Sequence, residues 1–141
     1  MAYDETNIFA KILRGEATAH SVYESDDCIA FLDVMPQSEG HTLVLPKAAA
    51  ENLFDLEASM AATLIKTVQH IARGVRNAFN PDGIRLMQFN GTAAGQTVFH
   101  FHMHIVPCYE GQALATHARG MAPAEILEKN AERLRNALNT I

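Results

Sequence analysis

The stretch Val98–Pro107 reads V-F-H-F-H-M-H-I-V-P, with His100, His102 and His104 alternating with Phe99, Phe101, Met103 and Ile105. Strict alternation over this length predicts a half-buried β-strand. The odd positions form an apolar face for a core. The even positions set three imidazoles on the opposite face, roughly 6.6 Å apart at about 3.3 Å per residue. Wound as a helix, the same residues would scatter the rings. Three uses suit such a row. Two imidazoles two residues apart can share a Zn²⁺ with a ligand from a neighbouring strand. A neutral imidazole can attack as a nucleophile when its other ring nitrogen holds a proton in a fixed hydrogen bond, while neighbouring rings donate to an anionic centre such as a phosphoryl group. The third use is structural, with no chemistry. Against the metal, Asp33 and Glu110 lack the spacing of a facial triad, and there is no second cluster of metal-type residues.

The segment ahead of the histidines fits phosphate chemistry. Gly91–Thr97 reads G-T-A-A-G-Q-T. Gly95 allows close backbone approach, and the N–H groups of Gln96 and Thr97 could cradle phosphate oxygens. Asn90 and Thr97 add neutral donors.

Periodicity and turn chemistry supply the elements that must hold these groups. Asn7 suits an N-cap before Ile8, Phe9, Ile12 and Leu13, with Gly15 as the stop, so a short amphipathic helix is expected. Its apolar side is either plain core or the wall of a ligand pocket. Strands follow at Ser21–Glu24 and Cys28–Asp33, around a Ser-Asp-Asp turn. Asp33, at the strand end before Met35-Pro36, reads as a turn or cap residue. Gly40 opens the strand His41–Pro46, and His41 there reads as structural or exposed. Met60, Leu64, Val68, Ile71, Val75 and Phe79 recur at helical steps, which predicts a helix over Asn52–Phe79 ended by Asn80-Pro81-Asp82-Gly83. His70 is expected at its surface. Ile84–Asn90 is a further strand. Tyr109–Met121 has no period. Pro123 opens a last helix striped by Leu127, Ala131, Leu134 and Leu138. The order predicts one α+β domain over residues 1–141, with about five mainly antiparallel strands, a long central helix and a C-terminal helix.

Composition narrows the partners. The chain has 141 residues, 48% of them apolar, and a formal charge of −5. That suits one ordinary core and no nucleic-acid partner, which would want a basic face. With no long apolar run and an acidic start, M-A-Y-D-E-T-N, neither a membrane span nor a signal peptide is expected. Cys28 and Cys108 form no C-x-x-C and are expected as reduced thiols of a cytoplasmic protein.

Four blocks then resemble one family. His100-Phe101-His102-Met103-His104-Ile105-Val106 is similar to the His-x-His-x-His-x-x signature of the histidine-triad (HIT) nucleotide-binding proteins, in their Hint-like branch. Phe31-Leu32-Asp33-Val34-Met35-Pro36 resembles the family's ribose-binding strand and turn. Gly40–Lys47 resembles its glycine-histidine strand. Asn90 and Gly95-Gln96-Thr97-Val98-Phe99 resemble its phosphate loop. The blocks run in the family's order across residues 7–107, and 108–141 forms a C-terminal extension. The resemblance implies a HIT-like fold and particular roles. His102 would attack the α-phosphorus, forming a nucleotidyl-histidine that water releases as a nucleoside monophosphate. His104 would hydrogen-bond a phosphate oxygen. His100 would orient His102 through its carbonyl and contact His41 through its ring. Asn90, Gln96 and Thr97 would hold the phosphate and leaving-group side, beside Gly95. Asp33 would accept the ribose hydroxyls, and Ile8, Phe9, Phe31 and Val34 would sandwich the base.

The same resemblance implies a homodimer of joined sheets, with the helix Glu57–Phe79 at the interface. It implies AMP or an adenosine phosphoramidate as the purine nucleotide, and no cofactor. Some relatives carry a structural zinc on a cysteine pair near the first helix. Asn7-Ile8-Phe9-Ala10-Lys11 has none, so no zinc is expected. Thr97 stands where many relatives have Ser, and its methyl narrows the leaving-group side. The alternatives are a dinucleoside polyphosphate hydrolase, a nucleotide-binding regulatory module with little turnover, and a metal-dependent hydrolase on the same histidines. An imidazole nucleophile must be neutral, so turnover should fall with pH through about 6.5, the ordinary imidazole value.

Overall fold

In the computed structural model, which describes residues 3–116 and 120–141, the chain forms three α-helices and five strands. Residues 117–119 of the expected aperiodic segment, and residues 1–2, lie outside the described residues. In chain order the elements are α1 (Ile8–Leu13), β1 (Ser21–Glu24), β2 (Cys28–Leu32), β3 (Thr42–Pro46), α2 (Ala58–Phe79), β4 (Gly83–Met87), a 3₁₀ turn (Thr92–Ala94), β5 (Met103–Cys108) and α3 (Ala124–Leu138). The strands form one sheet in the order β1-β2-β3-β5-β4, and every neighbouring pair is antiparallel. The α+β architecture expected from the sequence is therefore the one observed. Among the described residues, no helix is long and apolar enough to cross a membrane.

Both faces of the sheet centre are covered, by different layers. On one face Ala30, Leu32, Val44 and Ile105 pack against Leu64, Val68, Ile71 and Val75 of α2 and Leu127, Ala131 and Leu134 of α3. Gly74 makes the helix pair possible, because a Cβ there would sit 2.5 Å from Leu138. On the other face Ile29, Phe31, Leu43 and Leu45 meet Phe9 of α1. Alternation explains the split, since successive strand residues point to opposite faces. The register pairs Phe31 with Leu43 and Leu43 with His104, which puts His104 on the α1 face. Cys28 and Cys108 are both free thiols. Burial pushes the Cys28 thiol up from its ordinary value.

Three boundaries differ from expectation by more than one residue. The histidine strand starts at Met103 rather than Val98. His100 and His102 lie in the irregular approach, which is anchored where Phe101 N–H donates to the Ala50 carbonyl at 2.8 Å. The alternation expected there still holds in part: Phe101 and Ile105 are buried on the helix side. β4 stops at Met87, whose pairing with His104 is the last of the β4–β5 ladder. Gln88 and Asn90 instead bond each other through their side-chain amides at 2.8 and 2.9 Å. The long helix starts at Ala58, not Asn52. Asn52 Oδ1 accepts from Phe54 N–H at 3.0 Å and holds the preceding residues in a turn. His70 is half-buried, its ring 5.5 Å from that of Tyr23.

Candidate active site

A pocket of about 390 Å³ opens between α1, the end of β2, β3 and the approach to β5. That is the size of an ordinary small-ligand site. Ile8, Phe9, Phe31 and Val34 give it apolar walls, and Asp33, Thr97, His102 and His104 give it polar groups. All eight were expected from the sequence. Asn7 places the short helix that forms one wall. Its side chain caps α1 by accepting from Ala10 N–H at 2.8 Å. Phe9 then stands edge-on to His102, ring centroids 4.8 Å apart.

His102 is 8% exposed. Its Nδ1 lies 2.6 Å from the His100 carbonyl oxygen. A carbonyl only accepts, so Nδ1 carries the proton and the lone pair belongs to Nε2. This is the tautomer a nucleophilic imidazole requires.

The His104 side follows the same logic. Gln37 N–H donates to His41 Nδ1 at 3.0 Å, so His41 Nε2 carries the ring proton. That nitrogen lies 2.9 Å from His104 Nδ1 and 3.4 Å from Asp33 Oδ2. His104 Nδ1 accepts, which leaves its own proton on Nε2 as a donor. The His102 and His104 rings are 5.0 Å apart. Asp33 Oδ1 accepts from Met35 N–H at 2.8 Å, so one carboxylate oxygen shapes the turn and the other faces His41. Asp33 and His41 are thus more than cap and filler. The expected ring contact between His100 and His41 is not formed. His41 pairs with His104, because the β3–β5 register brings those two together.

Asp33, His41 and His104 could in principle hold a metal ion, with one ligand atom each lying within 4.8 Å of the others. Their spacing of 2.9 and 3.4 Å is that of a shared proton, and an ion would have to replace it. The fit to hydrogen bonding is the better one.

The loop residues divide. Thr97 is exposed on the pocket wall. Gln96 is buried, and its side chain closes the loop: Oε1 accepts from Gly91 N–H at 2.8 Å, and Nε2 donates to the carbonyls of Glu51 and Val98. Its own N–H donates to Gly91 O at 3.1 Å. Of the two N–H groups expected to cradle phosphate, that of Gln96 is therefore committed within the loop. Asn90 accepts from Leu53 N–H at 2.9 Å and lies outside the pocket lining, as does Gly95. Gly95 has φ +104°, a conformation that favours glycine, so its part is the turn itself.

Sequence reasoning missed Val98 and Met121 in the wall and Tyr3 beside His100. Ile12 was legible in the α1 stripe. Met121 carried no signal, because its segment has no period and reaches the site only by packing: Ala122 N–H donates to Val34 O at 2.9 Å.

Known proteins share this chain's sequence pattern and fold. The HIT domain family matches residues 14–111. The protein named Protein hit from Bacillus subtilis is 39% identical over 127 residues, covering 86% of this chain and 88% of that protein. An Arabidopsis thaliana protein named adenylylsulfatase HINT3 is 38% identical over 76% of this chain and 54% of its own length. The crystal structure of a Hit-like protein from Bartonella henselae, described as involved in cell-cycle regulation and as holding an unknown ligand, superposes with a TM-score of 0.90 at 51% identity, covering 96% of this chain and 99% of that one.

Proposed function

This chain belongs to the HIT-domain family, and from that premise we propose that it is a hydrolase or transferase acting at the α-phosphorus of a purine nucleotide, foremost an adenosine phosphoramidate. The carrying observation is the His102 tautomer, with Nδ1–H held by the His100 carbonyl at 2.6 Å. In the first step a bond forms from His102 Nε2 to the α-phosphorus as the bond to the leaving group breaks. A phosphoramidate's leaving nitrogen takes up a proton from solvent, which is the donor in this step. In the second step water attacks the same phosphorus, the bond to His102 breaks and AMP leaves. One proton of that water restores the donor used in the first step.

His104, a donor through Nε2, steadies the charge on the phosphoryl oxygens, backed by His41. Thr97 takes the leaving-group side, and Gly95 supplies the turn that carries the chain to it. Asn90 and Gln96 hold that loop in shape. Asp33 accepts the ribose hydroxyls, and Ile8, Phe9, Phe31 and Val34 enclose the base. A relative bears the name adenylylsulfatase, which puts adenylyl sulfate beside phosphoramidates and dinucleoside polyphosphates in the substrate panel.

The protein is proposed to work in the cytoplasm as a homodimer. Supporting the dimer is a groove of about 360 Å³ between α2 and the edge strand β4, where Ile65 and Leu86 are each 48% exposed. Light scattering of the native chain checks it.

The test of the chemistry is a covalent trap. The protein is mixed with an adenosine phosphoramidate and quenched in alkali, which spares nucleotidyl-histidine. A peptide carrying one adenylyl group on His102 is the expected product. Steady turnover with no such adduct at any time point would overturn the proposal.

A further inference from the structure

His100 is completely buried and lies outside the pocket lining, yet both of its ring nitrogens are held. Nε2 is 2.7 Å from the Pro46 carbonyl oxygen, which can only accept. Nε2 therefore carries the ring proton, and Nδ1 carries the lone pair. Nδ1 meets Tyr3 Oη at 2.5 Å, so Tyr3 must donate. Tyr3 Oη also lies 2.9 Å from Asn7 Nδ2.

The Asn7 amide can point only one way. Its Oδ1 accepts from Ala10 N–H at 2.8 Å, and its Nδ2 donates to the Asp4 carbonyl at 2.7 Å. Nδ2 thus donates to Tyr3 Oη, and the single phenolic proton is left for His100. Each direction in the series is forced by a backbone group that can play one role only. Burial acts in the same sense on both titratable members. It pushes the Tyr3 hydroxyl up, keeping it a donor, and the His100 imidazole down, keeping it neutral.

We infer that Tyr3, directed by Asn7, is a positioning residue for the reaction: it sets the proton arrangement and the seat of His100, whose carbonyl in turn holds His102 Nδ1–H. The inference rests on the proposed role of His102 as nucleophile. Asn7 ties in the second support as well. It caps α1, and α1 carries the Phe9 ring that stands against His102. One amide therefore governs both what lies behind the His102 ring and what lies beside it.

Two variants test this. Tyr3→Phe keeps the aromatic body and deletes the donor. Asn7→Asp keeps an acceptor for Ala10 N–H, and so the cap, but sets an acceptor where the amide donated. The Tyr3 proton then turns to the carboxylate, and His100 Nδ1 loses it. Ring ¹⁵N spectra of the free protein read the state of His100 Nδ1, and kinetics read the consequence. In both variants the His100 Nδ1 resonance should move away from its wild-type hydrogen-bonded position. In both, kcat on an adenosine phosphoramidate should fall about tenfold, the weight of one buried hydrogen bond, with KM within about twofold.

A His100 resonance unmoved in both variants overturns the relay. A moved resonance with unchanged kcat overturns the positioning role. The spectra need no substrate, so they separate the two ideas. A missing His102 adduct counts against nucleotidyl transfer, and an unmoved His100 ring counts against Tyr3.

Discussion

His102 has an imidazole two residues away on either side, and the two are held in opposite ways. Around His100 the partners allow one arrangement of protons: the Pro46 carbonyl accepts, and Tyr3 donates because Asn7 donates to it. Around His104 the arrangement has slack. The proton on His41 Nε2 has two acceptors within reach, His104 Nδ1 at 2.9 Å and Asp33 Oδ2 at 3.4 Å. The first flank is a mount, and the second can redistribute charge between two rings and a carboxylate. A nucleophile that gains and loses a phosphoryl group needs both. Its aim must not drift, and the charge beside it must follow the reaction.

The largest effect should come from the residue between the flanks. His102→Ala should lower turnover of an adenosine phosphoramidate by about 10⁴-fold or more, while AMP still binds by calorimetry. Turnover close to wild type would remove His102 from its role. The contrast itself is sharpened by truncating each neighbour. His104→Ala should lower kcat about 100-fold and destabilise the fold as well, since His104 is buried and its loss takes from the His41 Nε2 proton its nearer acceptor. His100→Ala should lower kcat and also destabilise the fold by about 3 kcal/mol, since it opens a cavity and strands buried hydrogen-bonding groups. A loss of kcat in His100→Ala as large as that in His104→Ala would erase the distinction.

Gly40 sits just before His41 on the mobile-proton side. Its φ is +93°, and a Cβ there would meet Phe79 Cδ2 at 2.8 Å. Gly40→Ala should therefore cost about 2 kcal/mol, and a wild-type urea midpoint would show that the turn yields instead. A smaller effect comes from acid. Burial holds His100 below its unfolded value of about 6.5. The unfolded chain then takes up the proton first, so this contribution to stability is complete above that pH and shrinks as pH falls through the folded value. Unfolding free energies at about pH 7.5 and about pH 5.5 should differ less in His100→Gln than in the parent. Smallest of all is the expected effect of metal removal. Dialysis against a strong chelator should leave turnover unchanged, and loss restored by Zn²⁺ would favour ligation by Asp33, His41 and His104.

Much of the scaffold was legible because its signals are local. The caps and stops of α1, the stripe of α2 and the stripe Leu127-Ala131-Leu134-Leu138 of α3 lie within a few turns of chain. Strand ends were less legible, because pairing sets them. β4 ends with the pairing of Met87 and His104, and no property of Gln88–Asn90 announces it. In the site, Ile8, Phe9, Phe31, Asp33 and Val34 could be nominated from motif order. Gln96 and Asn90 could not be separated from Thr97 in that way. What distinguishes them is the Glu51 carbonyl and the Leu53 N–H, brought in from the turn before α2.

By itself the sequence determined which side chains share a face and that three imidazoles would lie close together, since alternation and helical spacing are properties of neighbouring residues. Where each proton sits was decided by the tertiary structure alone. Tyr3, Gln37, His41 and Pro46 approach the triad from far along the chain. An imidazole is donor or acceptor at each nitrogen according to what faces it, so its chemistry belongs to its partners.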